Sequence, residues 1–227
     1  MNKAVLVTGA CKNTGVAIVE QFIRKGKAVV FTGRNEKDVR LAENEYKKHF
    51  PDVEIKGYTI NSVTEQNTVD EKSVYKMFEY FDKNNIFIET LVLNAADQGL
   101  GIKAFENPLS DYVRVINTNI VWDYCLSVEA ARRMKEKGGG NIIFINSNTA
   151  YRAIPDRIAY STSKSGQLGM MRAMALDFGK YNIRVNAVLP GMIKTDRWDK
   201  NPDFYKNVPS RFTPLRDVAV GKDIAEA

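Results

Sequence analysis

Short apolar runs alternate with longer stretches whose apolar residues recur at helical spacing, and this alternation repeats along the whole chain. The short runs, rich in Val, Ile and Phe, fall at residues 4–8, 28–32, 54–61, 90–94, 141–147 and 183–189. They are continuous rather than alternating, which predicts strands buried on both faces, as in a parallel sheet. Between them the spacing predicts helices over 14–25, 36–49, 70–82, 109–137 and 158–180, with Gly26 capping the first. In the fourth helix, Val113, Ile116, Ile120, Tyr124, Ala131 and Met134 mark the expected buried face. Gly138-Gly139-Gly140 then turns the chain into the next strand.

Strand-helix alternation with short links predicts an α/β protein with a doubly wound, Rossmann-like parallel sheet in three α/β/α layers. The 227 residues suit one such domain, and no repeat, linker or low-complexity segment divides them. In these sheets ligands bind at the carboxyl ends of the strands. The site is therefore expected among the segments following Thr8, Thr32, Asn61, Asn94, Ser147 and Leu189.

Composition narrows the chemistry. The net charge of +6 is spread over basic residues interleaved with acidic ones, as between Glu36 and Lys48. That pattern is a solvated surface, with no nucleic-acid motif or aromatic platform, and it also suits an anionic small ligand. Cys11 and Cys125 are too far apart in sequence for a disulfide framework or a metal-type spacing, which points to the cytoplasm. The single histidine, His49, leaves nothing from which to build a histidine triad or a zinc site, so no metal is expected. It precedes Phe50-Pro51 at an expected helix end and reads as a surface residue. No apolar run reaches the roughly 18 residues of a membrane span. The opening MNKAVLVTGA runs straight into a strand with no signal-peptide pattern.

Three stretches carry chemistry. Tyr160 and Lys164 are four apart in a predicted helix, hence on one face, and a nearby ammonium favours a phenolate, drawing the tyrosine from about 10 toward neutrality. Such pairs also arise by chance. The first strand runs into Thr8-Gly-Ala-Cys-Lys-Asn-Thr-Gly15 and opens a helix, whose unpaired N–H groups suit a pyrophosphate. The second ends in Thr32-Gly33-Arg34-Asn35, with no acid to hold a ribose 2′-hydroxyl. Arg34, with Lys12 from the first turn, suits a 2′-phosphate instead, so NADP(H) is favoured over NAD(H).

Together these residues resemble the classical short-chain dehydrogenases/reductases. Thr8-Gly9 with Gly15 is similar to that family's glycine-rich turn, and Asn94-Ala95-Ala96 to its Asn-Asn-Ala-Gly segment. Asn119 is similar to its fourth-helix asparagine, and Ser147, Tyr160 and Lys164 to its serine and Tyr-x-x-x-Lys. Asn186-Ala-Val-Leu-Pro190-Gly191 with Thr195 is similar to its Pro-Gly segment. The matches keep the family order from residue 8 to residue 195.

The resemblance implies a catalytic set of Asn119, Ser147, Tyr160 and Lys164. Tyr160 would be the general acid or base, Lys164 would lower its pKa and hold the nicotinamide ribose, and Ser147 would donate to the developing alkoxide. Asn119 would anchor a water-linked proton relay to Lys164. The implied cofactor residues are Gly9, Lys12, Asn13, Thr14, Gly15, Arg34, Asn61, Asn94, Ala95, Ala96, Tyr160, Lys164, Pro190, Gly191, Ile193 and Thr195. It also implies a homodimer or homotetramer, and a small carbonyl or alcohol substrate, with 3-oxoacyl thioesters, sugars or polyols, and hydroxysteroids as open classes. A non-catalytic dinucleotide-binding sensor on the same fold is the alternative from another class, although a sensor need not keep all four catalytic residues.

Departures stand beside the matches. Asn13 replaces a turn glycine, and Asn tolerates a left-handed backbone better than most residues; Asp97 stands where glycine is usual, and Asn61 replaces an aspartate facing adenine. Residues 192–216 occupy the place of the family's substrate lid. There Trp198, Phe204, Tyr205 and Phe212 would cover an apolar substrate, and Arg197, Lys200, Lys206 and Arg211 an anionic one. The chain ends in RDVAVGKDIAEA, like the approach to a further helix. The family's last helix and seventh strand are expected to be absent from residues 1–227, and the natural chain to be longer.

Overall fold

In the six strands, alternate residues point into two different cores, and this sets the architecture. A computed structural model describes residues 3–200, 202–205, 213–215 and 217–227. The strands are β1 (Lys3–Val7), β2 (Ala28–Gly33), β3 (Ile55–Thr59), β4 (Phe87–Leu93), β5 (Gly140–Ile145) and β6 (Ile183–Val188). Ala4, Leu6, Val30, Leu91, Leu93, Ile142 and Phe144 face one layer of helices. Val5, Val7, Val29, Phe31, Val92 and Ile145 face the other. A strand apolar at every position is thus explained by burial on both sides.

All pairings are parallel and the spatial order is β3-β2-β1-β4-β5-β6. This is a Rossmann-like doubly wound sheet, as expected, and the order reverses between β1 and β4, where such folds hold their ligands. One face is covered by α1 (Thr14–Arg24) and α2 (Glu36–His49). The other is covered by α3 (Glu71–Lys83), α5 (Trp122–Glu136) and α6 (Ile158–Gly179). Side-chain caps set two of the helix starts. Asn35 Oδ1 accepts from the amides of Lys37 and Asp38, and Asp70 Oδ1 from the amide of Ser73.

The fourth predicted helix is not continuous. It comprises α4 (Leu109–Ile116), a wider π-turn over Asn117–Val121, and then α5. The extra residue in that turn rotates the residues downstream of it, so the apolar stripe expected from an unbroken 3.6-residue period is corrected. Val113 and Tyr124 are exposed, Ile116 and Ile120 half-buried, and Trp122, Leu126, Ala130, Ala131 and Met134 form the buried face. The π-turn is also what buries Thr118 and Asn119. Strand limits move as well, by two residues or more where β3 stops at Thr59, β4 starts at Phe87 and β5 stops at Ile145.

Beyond β6, Ile193 bridges Ala219, and between these two partners the chain forms the short helices α7 (Asp196–Lys200) and α8 (Pro202–Tyr205). The closing stretch makes a short helix, α9 (Gly221–Glu226), laid on α1 with Ile224 buried. Of the expected lid residues, Lys206, Arg211 and Phe212 and the side chains of Phe204 and Tyr205 lie outside the described residues. No helix among the described residues is long and apolar enough to cross a membrane, and none of their side chains cluster as metal ligands.

Candidate active site

At the switch point the chain staples β1 to β4 through polar atoms. Thr8 is fully buried and its Oγ1 accepts from the amides of Asn94 and Ala95, both at 3.0 Å. Asn94 Nδ2 donates back to the carbonyls of Thr8 and Gly9 at 2.9 and 3.1 Å. Gly9 has φ +65°, and a Cβ there would lie 2.9 Å from Ala95 Cα, so conformation and space both require glycine. A Cβ on Gly15 would lie 2.6 Å from Ala10 Cα and Gly9 O. This turn is packed on its own backbone.

Asn13 takes up a positive φ, which Asn tolerates better than most residues. Its φ of 54° comes with ψ of −135°, a glycine-like conformation. Its Oδ1 accepts from the amide of Asp196 at 3.2 Å, which ties the turn to α7. The start of α1 has no side-chain cap, so first-turn N–H groups at Thr14 and Gly15 are available for an anion. A pyrophosphate therefore fits the donors present.

Lys12 and Arg34 are both exposed, at the ends of β1 and β2, which the Ala10 amide joins by donating to Thr32 O at 2.9 Å. A Cβ on Gly33 would run into Cys11 Sγ and Val39, which explains glycine where an acidic side chain could otherwise stand. Asn61 and Ala96 are placed beyond β3 and β4, both exposed. Pro190 is buried and its carbonyl accepts from the Asn148 amide, with Gly191 exposed and Ile193 and Thr195 half-buried after it.

The end of β5 is different in kind. Ser147 is buried just past the strand, with its amide donating to Asn146 Oδ1 at 2.8 Å and its Oγ accepting from Thr149 Oγ1 at 2.9 Å. From α6 come Tyr160, half-buried, and Lys164, 1% exposed. Lys164 Nζ donates to Ile145 O at 2.9 Å and to Gln167 Oε1 at 3.0 Å, and lies 5.8 Å from the centre of the Tyr160 ring. Asn119 is clamped by three bonds. Its Oδ1 accepts from the Asp97 amide, and its Nδ2 donates to Asp97 O and Ser163 Oγ. The Asp97 carboxylate, where glycine was expected, pairs with Arg114 and accepts from the Gly99 amide.

Electrostatics corrects one expectation. The Tyr160 hydroxyl is raised above the ordinary tyrosine range, chiefly by burial, against a hydrogen bond with Ser147 and the charges of Arg157 and Arg197. Lys164 is not among the causes that oppose this rise; its ammonium donates to Ile145 O and Gln167 Oε1 beside the Tyr160 ring. Lys164 itself is lowered by burial, which the Asp123 carboxylate opposes. Arg197 donates to Gln98 Oε1 at 2.6 Å, which holds α7 against the segment after β4.

Three members of this end escape a motif reading: Asn146, Asp123 and Gln167. Asn146 Nδ2 donates to Lys164 O and to Gln167 Oε1, and Gln167 Nε2 donates to Asn119 O and to Asp123 Oδ2. Spacing carries the only signal for two of them, since Asp123 is four residues after Asn119 and Gln167 three after Lys164.

Comparison with known proteins agrees with this geometry. Residues 3–206 match the family model described as short chain dehydrogenase. A 3alpha-hydroxysteroid dehydrogenase of Mediterraneibacter gnavus is 30% identical over 227 residues, covering 100% of this chain and 88% of the relative. A 3-oxoacyl-(acyl-carrier-protein) reductase of Rickettsia bellii is 30% identical over 227 residues, covering 99% and 87%. The solved structure of a 7 alpha-hydroxysteroid dehydrogenase, complexed with NADH and 7-oxo glycochenodeoxycholic acid, superposes with a TM-score of 0.86 at 27% identity, covering 98% and 84%.

Proposed function

The chain belongs to the short-chain dehydrogenase family, and from that premise we propose that it interconverts a ketone and a secondary alcohol with NADP(H), with Tyr160 as the proton-transfer group. The family's members are oxidoreductases acting on CH–OH and C=O groups. The observation that carries the reading is the convergence of Ser147, Tyr160, Lys164 and Asn119, from β5, α6 and the π-turn, on one edge of the sheet.

Bound NADP(H) supplies the hydride. The chain's own residues handle the proton and the geometry. Tyr160 would be the proton donor to the carbonyl oxygen in reduction; burial raises its hydroxyl, and the charges of Arg157 and Arg197 oppose that rise. Ser147, joined to it by a hydrogen bond, donates to the oxygen on which negative charge develops. Lys164 is held against β5 and keeps positive charge at the inner wall. Thr14 and Gly15 would receive the pyrophosphate, and Lys12 and Arg34 the 2′-phosphate.

The solved neighbour's cofactor is NADH, and the preference proposed for this chain rests on its own β2 end, where Gly33 and Arg34 stand in place of an acid. The open substrate classes are 3-oxoacyl thioesters, sugars or polyols, and hydroxysteroids. Exposed Leu109, Val113, Val121 and Tyr124 along α4, the π-turn and α5 support a homo-oligomer. The sensor alternative is disfavoured by the complete catalytic set. A panel of ketones and alcohols with NADPH and NADH tests the reading, with Tyr160→Phe as control. Turnover that survives the substitution, or its absence from wild type across the panel, overturns it.

A further inference from the structure

Behind Lys164 lies a buried hub that the proton-transfer reading leaves unused. Asn119, Asp123, Asn146, Lys164 and Gln167 are all buried. The amide of Gln167 sits at their centre and has one possible orientation. Its Nε2 faces two acceptors, Asn119 O at 2.7 Å and Asp123 Oδ2 at 2.6 Å. Its Oε1 faces two donors, Lys164 Nζ and Asn146 Nδ2, both at 3.0 Å. A flipped amide would set donor against donor and acceptor against acceptor. Gln167 thus bridges a buried cation to a buried carboxylate.

Asp123 has no other partner of that sort among the described residues. Its Oδ1 has no hydrogen bond there; burial raises the carboxyl above the usual carboxylate range, and the Lys164 charge and the Gln167 hydrogen bond oppose that rise and hold the charged form. The reverse holds for Lys164, on which the Asp123 charge acts and whose other neighbours are the Ile145 carbonyl of β5, Asn146 just past it, and Tyr160 and Gln167 of its own helix. The charges that act on Tyr160 are those of Arg157 and Arg197. A buried charge is retained only where an opposite charge or hydrogen bonds answer it.

We propose that Gln167 and Asp123 are positioning residues for the reaction: the amide fixes the Lys164 ammonium beside Tyr160, and the carboxylate behind it supplies the buried counter-charge that keeps the ammonium protonated. This rests on the reading of Lys164 as the partner of Tyr160. Gln167 also bonds to Asn119 O, on the residue that the family resemblance implies as the anchor of a water-linked relay. Here a side chain that cannot pass on a proton bonds to both Asn119 O and Lys164 Nζ, so its role is to hold rather than to conduct.

The test follows the charge of Lys164 directly, by NMR titration of its labelled side chain in the full chain, beside the pH profile of carbonyl reduction. In Asp123→Asn the Lys164 midpoint is expected to fall by about one pH unit or more, because burial is no longer offset by a negative charge. The basic limb of kcat/KM should fall with it, while rates at pH values where Lys164 stays protonated remain within about threefold of wild type. A midpoint within about 0.2 unit of wild type overturns the proposal, since a merely structural role would lower activity at every pH without moving it. If Asp123→Asn does not fold, Gln167→Leu carries the test. Loss of the acceptor should again lower the midpoint, and an unmoved midpoint again refutes. A shifted midpoint in a protein that reduces no carbonyl with either cofactor would overturn the proposed reaction and leave the counter-charge standing. Normal turnover with an unmoved midpoint would do the reverse.

Discussion

At the end of β1 the site is made of backbone, whereas at the end of β5 it is made of side chains. The first turn depends on what is missing: Gly9 and Gly15 leave no room for a Cβ, and the start of α1 is uncapped. Its charges, Lys12 and Arg34, are exposed. The second end depends on what is present, a closed set of donors and acceptors around Lys164 with every polar atom of the Gln167 amide used. The two ends should therefore fail differently. Exposed cations act through a screened field and can be altered singly, while a buried network stands or fails together.

That contrast ranks the expected effects. Tyr160→Phe should lower kcat by about 10² to 10⁴ with cofactor affinity unchanged, measured by steady-state kinetics and NADPH fluorescence titration; retained turnover would break the proton-transfer end. Ser147→Ala should cost about 10² to 10³ in kcat, read in the same assay, and a change confined to KM would show that Ser147 only binds substrate.

The backbone-built end should respond in stability and cofactor affinity instead. Gly15→Ala places a methyl 2.6 Å from Ala10 Cα. Overpacking of that order costs about 1–3 kcal/mol. It should lower Tm by several degrees and weaken both cofactors alike, and a neutral result in thermal denaturation would show that the turn yields. Arg34→Asp should have the smallest and most selective effect, weakening NADPH by about tenfold while sparing NADH, since it removes one exposed charge-assisted contact. Added salt should shrink that difference. Equal losses for both cofactors would refute the 2′-phosphate argument.

How much was legible depended on locality. The strands and most helices followed from apolar runs, because burial on both faces of a parallel sheet leaves no polar alternation. Gly9, Gly15 and Asn94 were found through motif order, and the structure brings them into direct contact through Thr8, Asn94 and Ala95. The π-turn was not legible, since the apolar spacing of α4 and α5 fits an unbroken helix until the extra residue is counted. The direction of the Tyr160 shift was also hidden. Helical spacing places Lys164 on the same face as Tyr160, but only the fold shows that two of its three donors go to Ile145 O and Gln167.

The sequence by itself determined a doubly wound sheet, the edge on which its ligands bind, and Tyr160, Lys164, Ser147 and Asn119 as the residues to watch, because periodicity and order along the chain are local properties. Only the tertiary structure decided that a buried carboxylate from α5 faces the lysine of α6 through the amide of Gln167. Asp123 and Lys164 are distant along the chain, and whether charges so separated in sequence answer one another depends on the packing that buries them together.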